Sequence, residues 1–256
     1  MELRRKLVAY LIGVLILLLL WTLASFIVGW VFAGEGAKAR ALPNPVQAFT
    51  ALYHSLSSLG GHFLVSGLRT ILGLILAVLV AAPLGLVIGH EEALDRVFGP
   101  IIYLAFPIPK IVFLPLLFVL FGLGNLSIIL IIGLIVAFQT LLAARDAARN
   151  VPRDYILSVS SAGANRWQVY RHVVIPASLP AVLTSVRISI GISIAALYLA
   201  ETTGVSSGLG FFLHVVRRQF RYEDLFAGIM VMGFLGFLLY AVVDLLERFL
   251  CRWKYV

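Results

Sequence analysis

At 256 residues, with 61% hydrophobic and only 12% charged residues and a mean hydropathy of +1.03, the chain is too apolar for a soluble domain of its size and reads as a polytopic membrane protein. The net charge of +8 does not signal nucleic acid, because most of the basic residues flank apolar runs, where membrane topology accounts for them. The single cysteine, Cys251, excludes an internal disulfide and any multi-cysteine metal site.

A membrane-spanning helix needs about 20 apolar residues, and the chain supplies six such stretches. The first covers roughly residues 7–32. Arg4-Arg5-Lys6 ahead of it resembles a signal-peptide start, but residues 7–33 are 27 uncharged positions. Trp21, Phe26 and Trp30 also stand where small cleavage-site residues belong, so a retained helix is expected. Residues 34–65 read as a polar connection bearing Pro43-Asn44-Pro45, with an amphipathic helix over Val46–Leu59. The second span is expected at 66–89, with Arg69 near its start, followed by a charged loop, His90–Arg96. A third, at 100–121, is interrupted by Pro107-Ile108-Pro109-Lys110. Residues 111–144 are 34 positions without charge, too many for one crossing at 1.5 Å per residue. Gly122-Leu123-Gly124-Asn125 is the evident turn within them, leaving a fourth span at 126–144. The fifth and sixth are expected at 179–202 and 225–247.

Residues 145–180 form a polar island between apolar stretches, with Arg145, Arg149, Arg153, Arg166 and Arg171 opposed only by Asp146 and Asp154. Asn150-Val151-Pro152 marks a break, since proline disfavours helical geometry in the residue before it. Tyr155, Ile156 and Val159 then fall at helical spacing over Arg153–Ala162. Gly163 permits a sharp turn, and a second short helix follows from Asn165, a good N-cap, through Val174, ending before Pro176. A helix–Gly–helix elbow this basic, between membrane spans, has the character of a docking device on the cytoplasmic face.

The run from Gly163 through Arg166-Trp167 to Val173, Ile175 and Pro176 resembles the cytoplasmic signature loop of the permease subunits of bacterial ABC importers. That family pattern is Glu-Ala-Ala, three residues, Gly, nine residues, Ile, one residue, Leu-Pro. Here Gly163, Val173, Ile175 and Pro176 take the later positions, while Leu157-Ser158-Val159 stand in place of Glu-Ala-Ala. The resemblance extends to Gly67-Leu68-Arg69, Gly73 and Pro83-Leu84-Gly85, to Phe106-Pro-Ile-Pro109, and to Ser206-Ser207-Gly208-Leu209-Gly210. These are similar to the nitrate/sulfonate/taurine branch of the family. The resemblance implies an all-α type I importer permease with six transmembrane helices. It divides the chain into an N-terminal helix plus extracytoplasmic connection (1–59) and a permease core (60–250) carrying the coupling loop at 145–180.

The resemblance also implies partners: ATP-binding cassette ATPase subunits, a second permease copy or homologue, and an extracytoplasmic solute-binding protein. ATP and Mg would sit on the ATPase, with no cofactor on this chain. Tyr155, Ser158, Ser161, Ala162, Gly163, Ala164, Asn165, Arg166 and Pro176 would carry the coupling to that ATPase. The solute would be a small anion such as nitrate, a sulfonate or bicarbonate, or a small vitamin precursor, imported across a bacterial or archaeal cytoplasmic membrane.

Charge distribution sets the expected orientation. With the N-terminus inside, the cytoplasmic segments hold twelve Lys and Arg residues, among them Arg4, Arg5, Lys6, Arg96, Arg248 and Lys254. The outer segments hold five (Lys38, Arg40, Arg217, Arg218, Arg221), which places both termini and the 145–180 loop inside.

The chain has no G-x-x-x-x-G-K-[ST] phosphate loop, since Gly34-Glu-Gly-Ala-Lys38 lacks the spacing and the hydroxyl. If transport is ATP-driven, the nucleotide must bind elsewhere. Gly204-Val-Ser206-Ser-Gly208 matches the bare G-x-S-x-G pattern, but a nucleophile elbow needs a sheet, so an extracellular turn is expected rather than a catalytic serine. Three ionisable residues in or beside spans are candidates for the solute pathway. Lys110 would either attract an anion or snorkel to the interface. Arg187 would face the pathway or pair with a carboxylate, Asp244 being the partner to hand. Glu201, at the outer end of the fifth span, would touch a binding protein or be solvated. Gly73, Gly85, Gly89, Gly228, Gly233 and Gly236 are expected to allow close helix contact. A secondary transporter or channel needing no ATPase stays open as an alternative reading.

Overall fold

The computed structural model describes residues 2–254, and side chains from 12 to 253, so Arg4, Arg5, Lys6 and Lys254 of the charge count lie outside the described side chains. All regular structure among the described residues is helical. Helix α1 spans Glu2–Val31 and touches the remainder near its C-terminal end. There Trp21 Nε1 donates to Pro43 O (3.0 Å), Ser25 Oγ to Leu42 O (2.8 Å), and the Trp21 ring stacks on Phe226.

Helix α2 runs unbroken from Pro45 to His90. Asn44 starts it with a capping box: its side chain accepts from Gln47 N while the Gln47 side chain accepts from Asn44 N, and Pro45 stands in the first turn. The expected amphipathic helix at 46–59 and span at 66–89 are therefore one rod of about 69 Å at 1.5 Å per residue. Nothing between them stops a helix except Gly60 and Gly61. Two helical glycines cost about 2 kcal/mol relative to alanine, a cost set against the apolar burial of Leu59 and Leu74 on either side.

Along α2, Gly73, Ala77, Ala81, Gly85 and Gly89 recur every four residues and form one buried stripe. Helix α5, Asn125–Arg149, lies against it. A Cβ at Gly73 would come within 2.7 Å of Ile132 Cγ2, one at Gly85 within 2.5 Å of Leu141 O, and one at Gly89 would overlap the Arg145 backbone. Because these contacts advance along both helices together, α2 and α5 run parallel, and the segment between them must recross. Small residues at i, i+4 let the two backbones approach in a setting where lipid supplies no hydrophobic drive. Gly85→Val is expected to lower stability by about 1–3 kcal/mol through overpacking. Gly60→Ala, where a Cβ meets nothing within 4 Å, should raise it by about 0.5–1 kcal/mol. Thermal melting of the two purified variants in one detergent checks both signs. Of the glycines on α10, Tyr222–Leu250, Gly228 abuts Leu213 and Gly236 abuts Ile194, whereas a Cβ at Gly233 meets nothing within 4 Å.

The recrossing segment is broken. Helix α3 covers Glu92–Ala105, so the expected charged loop shrinks to Glu91, and Glu92 and Asp95 become first-turn residues that favour a helix N-terminus. After Pro107-Ile108-Pro109, a 3₁₀ turn (Lys110–Phe113) leads into α4, Leu114–Phe121, at 83° to α3. Gly122, at φ +81°, makes the turn expected before α5. Among the described residues, five helices are long and apolar enough to cross a membrane, and the α3/α4 pair supplies a sixth crossing if taken as one bent span.

After α5 come α6 (Arg153–Ser161), Gly163 at φ +86°, and α7 (Arg166–Val169), N-capped by Asn165 through a second capping box with Gln168. The second elbow helix does not stop before Pro176. It passes through a π turn, Tyr170–Val174, directly into α8, Ile175–Thr202. The wider π turn shifts the hydrogen-bond ladder where Pro176 has no N–H to give, so the proline ends nothing. The fifth span thus begins at Ile175. One element was not foreseen at all: α9, Leu209–Arg218, packs Leu209, Leu213 and Val216 inward between the fifth and sixth spans. That i, i+4, i+7 spacing was its sequence signal, masked by the flanking glycines and arginines.

Candidate coupling elbow and transport pathway

The elbow is anchored from within and bare outside. Ala148, Val169 and Val174 bury together, with Ile156, Ala164 and Tyr170 packed on them. The Tyr170 hydroxyl donates to Glu91 Oε1 (3.2 Å) while its ring stands edge-on to His90, tying α7 to the α2–α3 turn. On the other side Tyr155, Leu157 and Trp167 are 58–66% exposed, with Ser158, Ser161, Ala162, Gly163, Asn165 and Arg166 around them. Ala164 is half-buried beneath the turn, and Pro176 lies at the start of α8. The structure therefore brings the coupling candidates to one apex, with Ala164 beneath it and Pro176 apart. One basic residue leaves it. Arg145 is 2% exposed, with its guanidinium 2.5 Å from Asp95, 2.9 Å from Asp146 and over the Tyr103 ring. It locks α5 to α3 rather than facing a partner, because a cation at that depth needs a carboxylate.

At the far end of the bundle, a network ties four segments. Arg69 on α2 is 3% exposed and Glu201 on α8 is fully buried, with Arg69 Nη1 2.6 Å from Glu201 Oε1. The same guanidinium donates to Asn125 Oδ1 at the start of α5 (2.7 and 2.9 Å) and to Ser207 O (2.8 Å). Ser66 Oγ and Gly210 N donate to the Glu201 carboxylate, each within 2.9 Å, and Ser66 Oγ also accepts from Leu209 N. The expectation that Glu201 is solvated at the outer mouth is thereby corrected. The α8–α9 loop folds over it, turning at Gly204 (φ +133°) and Gly208 (φ +109°), and a side chain at Gly208 would collide with the Glu201 carboxylate. Arg69, expected merely near the start of a span, sits mid-helix. It lies about 31 Å along α2 from His90, roughly one hydrocarbon thickness.

Arg187 pairs with Asp244 (Nη1–Oδ1, 2.9 Å), as expected, and also with Glu247, while Arg248 reaches Asp244 from outside at 3.0 Å. Two cations meet two carboxylates, so Arg187 is charge-compensated between α8 and α10. Ser206 lies in the α8–α9 turn, and among the described residues no His, Asp or Glu is hydrogen-bonded to it.

Lys110 stands apart from these pairs. Its ammonium donates to Ala105 O (3.0 Å) and Phe106 O (2.5 Å), the last carbonyls of α3, and lies 4.3 Å from the Phe138 ring centroid. Capping a helix C-terminus with a cation is worth about 0.3–1 kcal/mol. Lys110 sits half-buried at the α3/α4 break, with the Phe106 ring as a second aromatic neighbour at 5.3 Å and no carboxylate partner among the described residues.

Comparison with known proteins bears on this geometry. Residues 71–253 match the family described as binding-protein-dependent transport system inner membrane component. The chain is 32% identical to the taurine transport system permease protein TauC of Escherichia coli (strain K12), over 77% of this chain and 72% of that one. It is 26% identical to the formylaminopyrimidine transport permease protein ThiX of Halalkalibacterium halodurans, over 94% and 93% respectively. The fold superposes on a chain of the inward-facing MetNI methionine ABC transporter with a TM-score of 0.65 at 18% identity, covering 77% of this chain and 97% of that one.

Proposed function

The chain belongs to the family of inner membrane components of binding-protein-dependent transport systems, multi-pass transport subunits rather than enzymes, and from that premise we propose that it is the permease of an ATP-driven importer of a small anionic solute. The observation that carries this reading is the elbow: two short capped helices hinged at Gly163, with aromatic and aliphatic side chains bare at the apex. The chain has no nucleotide-binding loop, so ATP and Mg belong to a separate ATPase subunit that receives this apex.

Tyr155, Ser158, Ser161, Ala162, Gly163, Ala164, Asn165 and Arg166 form the contact. Small residues allow close approach, and Arg166 pairs with a carboxylate of the ATPase. Movement at the elbow passes into α8 without a break, because α7, the π turn and Pro176 all lie in one continuous helix. Some 55 Å further on by helical rise, the end of that rod holds Glu201, and through Arg69 it holds α2 and α5. A push at the cytoplasmic apex thus reaches the outer face, where a solute-binding protein delivers its cargo. Two permease copies, or this chain and a homologue, enclose the pathway, with both termini cytoplasmic in a bacterial or archaeal membrane. The substrate class follows the relatives named for taurine and for a pyrimidine vitamin precursor, with a sulfonate or related small anion preferred for the unpaired Lys110.

Affinity purification of the tagged chain from native membranes in mild detergent tests the assignment. A stoichiometric ATPase subunit is expected in the eluate, with ATP hydrolysis, and is lost on replacing Ala162–Asn165. Absence of any such subunit, with transport surviving ATP depletion under an intact ion gradient, would move the assignment to a secondary transporter.

A further inference from the structure

Three other cations packed between helices have carboxylate partners: Arg69 has Glu201, Arg145 has Asp95, and Arg187 has Asp244. Lys110 has none among the described residues, and it opens onto a cavity of about 510 Å³ between the α3/α4 break and helices α5 and α8. No acidic residue lines that cavity; apart from Lys110 and Gln139 its wall is apolar, with Ile108, Ile192 and Leu199 among its residues. Two of the three ammonium donors go to the Ala105 and Phe106 carbonyls, which leaves one donor and the full charge.

Gln139 is the second polar group in the wall. Its carboxamide is hydrogen-bonded to Ser189 Oγ (2.8 Å), whose single proton also has Ser185 O within reach (2.7 Å); this holds the carboxamide in place and, in either orientation of the amide, leaves at least one Nε2 hydrogen without an acceptor among the described residues. A cation and an amide donor, both held by their neighbours and both short of an acceptor, face one space of the size that holds a small organic molecule. The apolar remainder strengthens any charge interaction inside it.

We propose that this cavity is a solute subsite in which the Lys110 ammonium and the Gln139 carboxamide hold the sulfonate- or carboxylate-type head group of a small organic anion, its short apolar body lying against Ile192 and Leu199. The substrate role rests on the importer reading above, but the binding does not need it.

The test is thermal unfolding of the purified protein, with whatever subunits accompany it, titrated with sodium methanesulfonate. Dimethyl sulfone serves as the neutral molecule of the same shape, and sodium chloride at matched ionic strength as the salt control. A saturable rise in melting temperature with methanesulfonate alone is expected. Lys110→Arg should keep it, and Lys110→Met should weaken the apparent affinity at least tenfold. Gln139→Glu, which places a carboxylate against the ammonium, should abolish it, and carries the test if Lys110→Met does not fold. An equal rise with chloride, or an undiminished response in Gln139→Glu, overturns the subsite. Loss of the response while an ATPase subunit still copurifies overturns the subsite alone. A saturable response in protein that recruits no ATPase overturns the importer reading alone.

Discussion

Glu201→Ala is expected to destabilise the protein by about 3–5 kcal/mol, because it leaves the Arg69 guanidinium buried with no counter-charge. The loss should appear as a sharp drop in melting temperature in detergent and in the yield of folded protein. Arg69→Met removes the other partner and should cost a similar amount, leaving the fully buried Glu201 carboxylate with only Ser66 and Gly210 as donors. The double variant Arg69→Met/Glu201→Leu should recover a substantial part of either loss, since no uncompensated charge remains. Additive losses in the double variant, or a Glu201→Ala protein that melts with the wild type, would contradict the buried pair. The size of the effect follows from burial: exposed pairs such as Lys38–Glu35 contribute about 0–1 kcal/mol, and their removal should pass unnoticed.

Gly163→Val should separate ATP hydrolysis from transport. The residue sits at φ +86° with open space around a would-be Cβ, so the difficulty is backbone conformation, not crowding. A left-handed backbone costs an ordinary residue about 1–2 kcal/mol, and more for a β-branched one. A cost of 1–2 kcal/mol is a factor of about 5–30, and solute moved per ATP hydrolysed should fall on that order in liposomes reconstituted with the ATPase and the binding protein. Gly163→Asn, whose side chain tolerates this conformation, should retain most of the coupling. Wild-type coupling in Gly163→Val would remove the hinge from the mechanism.

The elbow was legible because its signals are local. Proline at 152, a glycine needing positive φ at 163 and an N-cap at 165 each act within four residues, and each is found where the spacing put it. The Arg187–Asp244 pair was legible for a related reason: two charges stranded in apolar runs have few partners to choose from. What local signals misjudged were the junctions. Gly60-Gly61 and Pro176 look like breaks in isolation, yet the helices pass through them, because flanking burial in one case and a π turn in the other outweigh a cost of a few kcal/mol. Helix α9 was missed because its three inward side chains, Leu209, Leu213 and Val216, make an apolar face too short to stand out beside the spans.

Composition and apolar periodicity alone determined that this chain is a helical, multi-pass membrane protein with a polar elbow between its fourth and fifth spans. They suffice because burying a backbone in hydrocarbon leaves helices as the way to satisfy every N–H and C=O in so apolar a chain. The pairing of charges was decided only by the tertiary structure. Arg69 and Glu201 lie 132 positions apart, and neither carries any mark of the other. Desolvation makes an unpaired charge at that depth costly, so the fold must bring them together. It leaves the half-buried Lys110 without a carboxylate partner among the described residues; the sequence marked that lysine as a candidate, and only the tertiary structure sets a cavity beside it.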